Sequence, residues 1–312
     1  MKKYSIIGSG QYNWDIIKLR EYPEGFTVGK RNKFVEKVLF EEVGGTCGNV
    51  MCILARLGWI AIPQVKLINT EEGQQIADSL KVYGCDLQYV SLVEKGGFSG
   101  MVCTHRKSNK TGEHELGLRS FGPNGSQFRK VTELRVRDEV PAFLHTLAET
   151  PDVYFFDHSE AGPRAVANEL RNRGTLIYYE CENSKDWKKF IKSVEVADIV
   201  KFSNENVSDL KFCDGYKDKL FIQTQGAKGL QFKLREGAWI HVDPVQVENV
   251  MDWEGCGDTT TAVFLNELGK MGLPHVSSLT EEQVLSALKA ATAKAALCTQ
   301  YYGSKSWLKI IL

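Results

Sequence analysis

The feature that most constrains the fold is an alternation running from residue 152 to residue 224. Compact apolar runs at 152–156, 175–179, 199–202 and 220–224 are separated by segments of helical periodicity near 163–173, 185–194 and 205–212. Strands that are apolar on both faces need cover on both faces, so this rhythm predicts a mostly parallel sheet between two helical layers. A first buried strand is expected at 4–7. Helices are expected after Gly44-Gly45-Thr46 (stopped by Gly58), over 72–83, over 259–271 and over 281–298. Residues 232–247 read as antiparallel strands around the turn Arg235-Glu236-Gly237.

Two β-rich segments interrupt the early part of this pattern. Residues 12–43 mix charged and apolar side chains in the manner of an exposed strand. Residues 97–121 read as a hairpin around Asn109-Lys110-Thr111-Gly112. Together they are expected to form a small sheet, a lid over a site. The α/β core is then expected to comprise 1–11, 44–96 and 122–312.

The hydrophobic share of 43% suffices for a large core, and the 39 basic and 39 acidic side chains cancel. A neutral chain offers no bulk attraction to nucleic acid or to an anionic membrane, so any phosphate recognition must be local. Cysteines stand at 47, 52, 85, 103, 181, 213, 256 and 298 with no C-x-x-C spacing, which argues against zinc. No apolar stretch has the length of a signal peptide or a membrane span, so a cytoplasmic location with reduced thiols is expected.

The chemistry centres on Asp252-Trp253-Glu254-Gly255-Cys256-Gly257-Asp258-Thr259-Thr260. Cys256 could be a nucleophile, but none of the six histidines is placed nearby in sequence to activate it. Asp258 could simply cap the helix that follows. In a third reading, Gly255 and Gly257 free the backbone to present successive amides at a helix N-terminus. That cradle suits an anion, and a carboxylate at its edge could accept a hydroxyl proton. The second and third readings are compatible.

Asp252-x-x-Gly255-x-Gly257-Asp258 resembles the C-terminal motif of the ribokinase-like (PfkB) carbohydrate kinases. Four further segments resemble that family in the same order. They are Asn13-Trp14-Asp15 after the first strand, Gly44-Gly45-Thr46-Cys47-Gly48-Asn49, Ser203-Asn204-Glu205, and Thr224-Gln225-Gly226-Ala227-Lys228-Gly229. The resemblance spans nearly the whole chain. It implies a three-layer αβα fold with a small β lid, and transfer of the ATP γ-phosphate to a hydroxyl of a sugar or sugar derivative. It assigns Asp258 as base and the backbone of Gly255, Cys256 and Gly257 as anion hole. Asn13, Asp15, Gly44, Gly45 and Asn49 would hold the acceptor, and Asn204, Thr224, Gly226 and Gly229 the ATP. Mg²⁺ would bridge the phosphates with few direct protein ligands, and a monovalent cation is left open.

Three positions depart from the family pattern. Its Asn-x-x-Glu segment is broken by Val207, leaving Glu205 to reach a metal through water. Glu254 stands where small or neutral residues are usual, so it is expected to point away from the phosphates or to approach a cation. Cys256 replaces alanine, which is tolerable where only the amide is needed. His105, Arg106, Lys107 and Lys110 read mostly as a solvated strand face, whereas Arg119 would suit an acidic acceptor. His158 would be a substrate contact or a structural histidine. A nucleoside or sugar-acid kinase, or a non-catalytic ligand-binding protein of the same fold, are the rival readings. Pairing of two copies through the lid is a further expectation.

Overall fold

The computed structural model describes residues 2–22, 35–94, 101–108, 114–120, 134–181 and 184–311. The first half contains β1 (Ser5–Ser9), β2 (Asn13–Glu21), β3 (Val35–Gly44), α1 (Thr46–Arg56), β4 (Ile60–Pro63) and β5 (Val65–Ile68). It continues through α2 (Glu71–Tyr83), β6 (Val90–Val93), β7 (Met101–Ser108), β8 (His114–Ser120) and α3 (Glu139–Thr146). The α/β alternation follows as β9 (Val153–Phe156), α4 (Ala161–Asn172), β10 (Leu176–Cys181), α5 (Trp187–Val196), β11 (Ile199–Ser203) and β12 (Leu220–Thr224). The hairpin β13 (Leu230–Leu234) and β14 (Trp239–Val242) precedes α6 (Cys256–Lys270) and α7 (Glu281–Cys298).

Eight strands form one sheet in the order β14-β13-β12-β11-β10-β9-β1-β4. It is parallel from β12 to β4, and only β13 and β14 run antiparallel. Successive residues of its strands enter opposite layers, as the two-residue period demands. Phe155, Tyr178 and Ile199 pack with α1, α6 and α7, while Tyr154, Phe156, Tyr179 and Val200 pack with α3, α4 and α5. This is the expected three-layer αβα arrangement. A capping box starts α7, with Thr280 Oγ1 accepting from Gln283 N and Gln283 Oε1 accepting from Thr280 N.

The helix expected at 205–212 is not formed. Ser203 Oγ accepts from Asn206 N at 3.1 Å and Asp209 Oδ1 from Lys211 N at 3.0 Å, local bonds that compete with helical ones. A short 3₁₀ turn at Lys211–Gly215 is all that remains. Strands β4, β5 and β6 and helix α3 were not anticipated, because each is four to eight residues long and lacks a clear period.

The segments on either side of the early core meet in a second sheet, order β3-β2-β7-β8. Here β2 runs parallel to β7, and both outer pairings are antiparallel. The turn residues 109–112 lie outside the described residues. No helix among the described residues is long and apolar enough to cross a membrane.

Candidate active site

The two sheets and the start of α6 enclose a cleft of about 310 Å³. Asn13, Asp15, Gly45, Asn49, Glu254, Gly255 and Asp258 line it, joined by Gln11, Glu42, Cys103, His105 and Ser304. It lies beyond the carboxyl end of β1, where ligands bind in parallel α/β sheets.

The cradle is built as the glycines require. Gly255 is the N-cap of α6 with φ 77°, and no side chain caps the helix. A Cβ there would lie 2.1 Å from Ser304 Cβ, so both the dihedral and the packing demand glycine. The first-turn amides of a 15-residue helix thus open the cleft to an anion. Asp258 is not the N-cap. It occupies the third helical position, and its Oδ2 accepts from Asn49 Nδ2 at 2.6 Å. Burial, and next the nearby Glu180 charge, push its carboxyl up to about 7.

Asn49 is itself held. Its Oδ1 accepts from Ser304 Oγ at 2.8 Å and from the fully buried Lys305 Nζ at 2.5 Å. That leaves its amide hydrogens to face Asp258. Lys305 also bonds Val43 O at 2.8 Å and pairs with Glu42 at 3.1 Å, so the acid lining the far wall is already compensated.

The acceptor side of the cleft presents unsatisfied oxygens. Asn13 is 5% exposed, and neither its Oδ1 nor Asp15 Oδ1 has a hydrogen-bond partner among the described residues. Buried acceptors left this way are costly unless a ligand supplies donors. Gly44 makes room for Asp15, since a Cβ there would sit 1.7 Å from Asp15 Oδ2. Gly45, at φ 79°, caps α1 against Gln11 O. His105 Nε2 stands 3.7 Å from Asp15 Oδ2.

Other expected residues sit elsewhere. The amide of Asn204 bonds Thr224 O at 2.9 Å, so these two meet at the adjacent ends of β11 and β12, with Gly226 (φ 58°) and Gly229 (φ 89°) following. Gly229 admits Val242 O, which a Cβ would approach to 2.3 Å. Glu205 is exposed beside them, and Val207 is buried in the apolar layer. His158 lies outside the cleft lining, its Nδ1 3.8 Å from Asp157 Oδ1. Arg119 pairs in register with Val102, and its side chain lies outside the described residues. Among the described residues no group of three or more acidic, histidine or cysteine side chains could hold a metal ion.

Cys256 does not suit nucleophilic attack. Its thiol is directed to Ala295 O at 3.7 Å, and hydrogen bonding to Cys298 together with burial raises its pKa. Glu254 lines the cleft, and burial holds its pKa up, while the charges of His105 and Lys107 draw it down. The solvated face expected for the basic strand is only half correct. Arg106 faces outward to Glu36 and Glu115, whereas His105 and Lys107 are 7% and 3% exposed, on the face that alternation turns inward.

Sequence reading missed a buried pair behind the cradle. Lys201 donates to Glu180 Oε1 and, at 2.9 Å, to Gly257 O, while Thr261 Oγ1 donates to Glu180 Oε2 at 2.6 Å. The signal was legible: charged residues inside the apolar runs Tyr178-Tyr179-Glu180 and Val200-Lys201-Phe202 are rarely buried without a partner. Asp157, 1% exposed, accepts from the Gln11 and Cys47 amides and so fixes both cleft-forming loops.

Residues 181–310 match the model for the pfkB family carbohydrate kinases. No curated protein sequence matches the chain. Solved structures of the same fold include an uncharacterized sugar kinase from Pyrococcus horikoshii in complex with ATP, 21% identical over 97% of this chain and 94% of that one, TM-score 0.65. They include Arabidopsis thaliana ribokinase complexed with ribose and ATP, 17% identical over 100% and 99%, TM-score 0.67. A Burkholderia thailandensis nucleoside kinase in complex with inosine is 16% identical over 97% and 93%, TM-score 0.68.

Proposed function

From a chain of ribokinase-like fold whose C-terminal part matches the pfkB carbohydrate kinases, we propose an ATP-dependent kinase acting on a hydroxyl of a sugar or sugar derivative. The observation that carries this reading is Asp258, a half-buried carboxylate in the first turn of a helix capped by a left-handed glycine, in a cleft with unsatisfied acceptors. Asn13 and Asp15 accept from acceptor hydroxyls and orient one of them towards Asp258. Asp258 takes the proton as that oxygen attacks the γ-phosphorus, the bond to the β,γ-bridging oxygen breaks to release ADP, and the amides at Gly255, Cys256 and Gly257 stabilise the developing negative charge. Asn204, Thr224, Gly226 and Gly229 hold the nucleotide. Mg²⁺ bound with the nucleotide would supply neutralisation of the phosphate charge. Among the described residues there is no preformed cluster for it, so it would arrive with the nucleotide. The division into an α/β core and a β lid belongs to this reading, as do a cytoplasmic setting and pairing of two copies through the lid edges, where Val35 and Val38 are exposed. Sedimentation velocity tests that pairing.

The test is ADP release with Mg²⁺ and ATP across neutral sugars, sugar acids and nucleosides. Turnover with a neutral sugar is expected. Absence of turnover from every acceptor, with ligands still raising Tm, sinks the enzyme in favour of a binding protein. Among the described residues the cleft lining has four carboxylates, Asp15, Glu42, Glu254 and Asp258, and no arginine or lysine. An aldonic acid is therefore expected to have a kcat/KM about five-fold below its neutral parent, since a like charge nearby costs on the order of 1 kcal/mol. A better acid than sugar would overturn this charge argument. Among the described residues no Phe, Tyr or Trp lines the cleft to sandwich a nucleoside base.

The pH dependence follows from the same residue. With Asp258 pushed up to about 7, the base is protonated below neutrality, so kcat/KM should fall on the acid side of about pH 7. Glu180→Gln removes a negative charge that raises this group. The acid limb should then move to lower pH, and a limb that stays in place contradicts the assignment.

A further inference from the structure

One buried ion pair has no part in the steps above. Lys107 on β7 is 3% exposed, and Asp252, which begins the loop to Gly255, is 1% exposed. Lys107 Nζ donates to Asp252 Oδ1 at 2.6 Å. The same carboxylate accepts from Glu254 N at 3.0 Å and, through Oδ2, from Gly303 N at 2.9 Å. The amide of Asp252 donates to Thr299 O at 3.1 Å. Asp252 thus ties the cradle loop to the segment after α7 that carries Ser304, and Lys107 ties Asp252 to the four-stranded sheet. The Trp253 ring covers the ammonium, 5.6 Å from its centroid.

We propose that Lys107 is a positioning residue for the anion hole: an internal ammonium, delivered by the four-stranded sheet, that holds Asp252 and through it the Gly255 turn. The proposal rests on the kinase reading. Its physical basis is the cost of a buried carboxylate deprived of its only ion-pair partner among the described residues. Without Lys107 the loop must either move to hydrate Asp252 or recruit a cation. The space vacated by the lysine tip is of ammonium size and lies against the carboxylate. A small cation from solution should therefore replace the missing group, which no purely structural loss would allow.

The experiment is Lys107→Ala assayed at constant ionic strength in choline chloride, then titrated with ammonium or methylammonium. Turnover is expected to fall about 10²-fold, the scale of a misplaced catalytic group, and to recover with either ion while the wild type stays indifferent. The acceptor KM should change by no more than about three-fold, because the acceptor contacts are untouched. Undiminished turnover, or a loss that neither ion repairs, overturns the proposal. If Lys107→Ala does not fold, the double variant Lys107→Met, Asp252→Asn removes both charges at similar volume. It should fold, turn over slowly and ignore added cations, and wild-type turnover in it would also overturn the idea. Emission of Trp253, isolated as the difference from a Trp253→Phe counterpart, gives a readout without activity. It should shift in Lys107→Ala and return with ammonium, and an unshifted emission counts against the proposal. A wild type with no phosphoryl transfer defeats the kinase reading instead, and the emission titration then still decides the role of Lys107.

Discussion

Asp258→Asn is expected to lower kcat/KM by about 10²–10⁴-fold, the usual contribution of a positioned general base, while leaving the fold intact. The separation of the two effects is what makes the result decisive. Asn keeps the shape and can still accept from Asn49 Nδ2, the partner 2.6 Å away. The charge it removes does not stabilise the protein. A carboxyl raised from 3.8 to about 7 on folding contributes stability fully only below the unfolded value, and that contribution is lost as pH rises through about 7. Above neutrality the variant should therefore have a Tm no lower than the parent. Initial rates and thermal melts at pH 8 check both halves. Retained turnover would remove Asp258 from the role of base.

Gly255→Ala should be nearly as damaging, for a different reason. The residue needs φ 77°, which costs an L-residue about 1–2 kcal/mol, and the new Cβ would lie 2.1 Å from Ser304 Cβ and 2.7 Å from Ser304 Cα. Ser304 cannot yield cheaply, because its hydroxyl and its neighbour Lys305 both hold Asn49. A total loss of about 3–5 kcal/mol is expected, seen as a lower denaturation midpoint. Turnover should fall by about 10²–10³-fold in whatever remains folded, as when an oxyanion donor is lost. Cys256→Ala is the matched control. It keeps the amide and removes only a thiol turned to Ala295 O, so turnover should change by less than about three-fold. A large loss there would revive a role for the sulfur.

Much of this site is written locally. Gly255 and Gly257 with Asp258 announce a cradle and a carboxylate because the chemistry needs those residue types within one turn of chain. Gly44 and Gly45 announce a tight entry to α1, and the structure adds that Gly44 leaves room for the Asp15 carboxylate. The sequence could not show whether Asp258 capped its helix, since the αL conformation of Gly255 shifts the helix start back to Cys256. It also gave no sign that Cys256 would face Cys298 across 42 residues of chain.

What the sequence determined by itself was the layer architecture and the local cradle, because hydrophobic period and glycine placement act over a few residues. Tertiary structure alone decided the electrostatics. Asp258 feels the charge of Glu180, Asn49 is held by Lys305, and Lys107 reaches Asp252 from another sheet. A charge inside a protein takes its meaning from partners that are close in space and distant in sequence. Glu254 shows this most plainly, since the charges of His105 and Lys107, distant in sequence, draw its pKa down against the effect of burial.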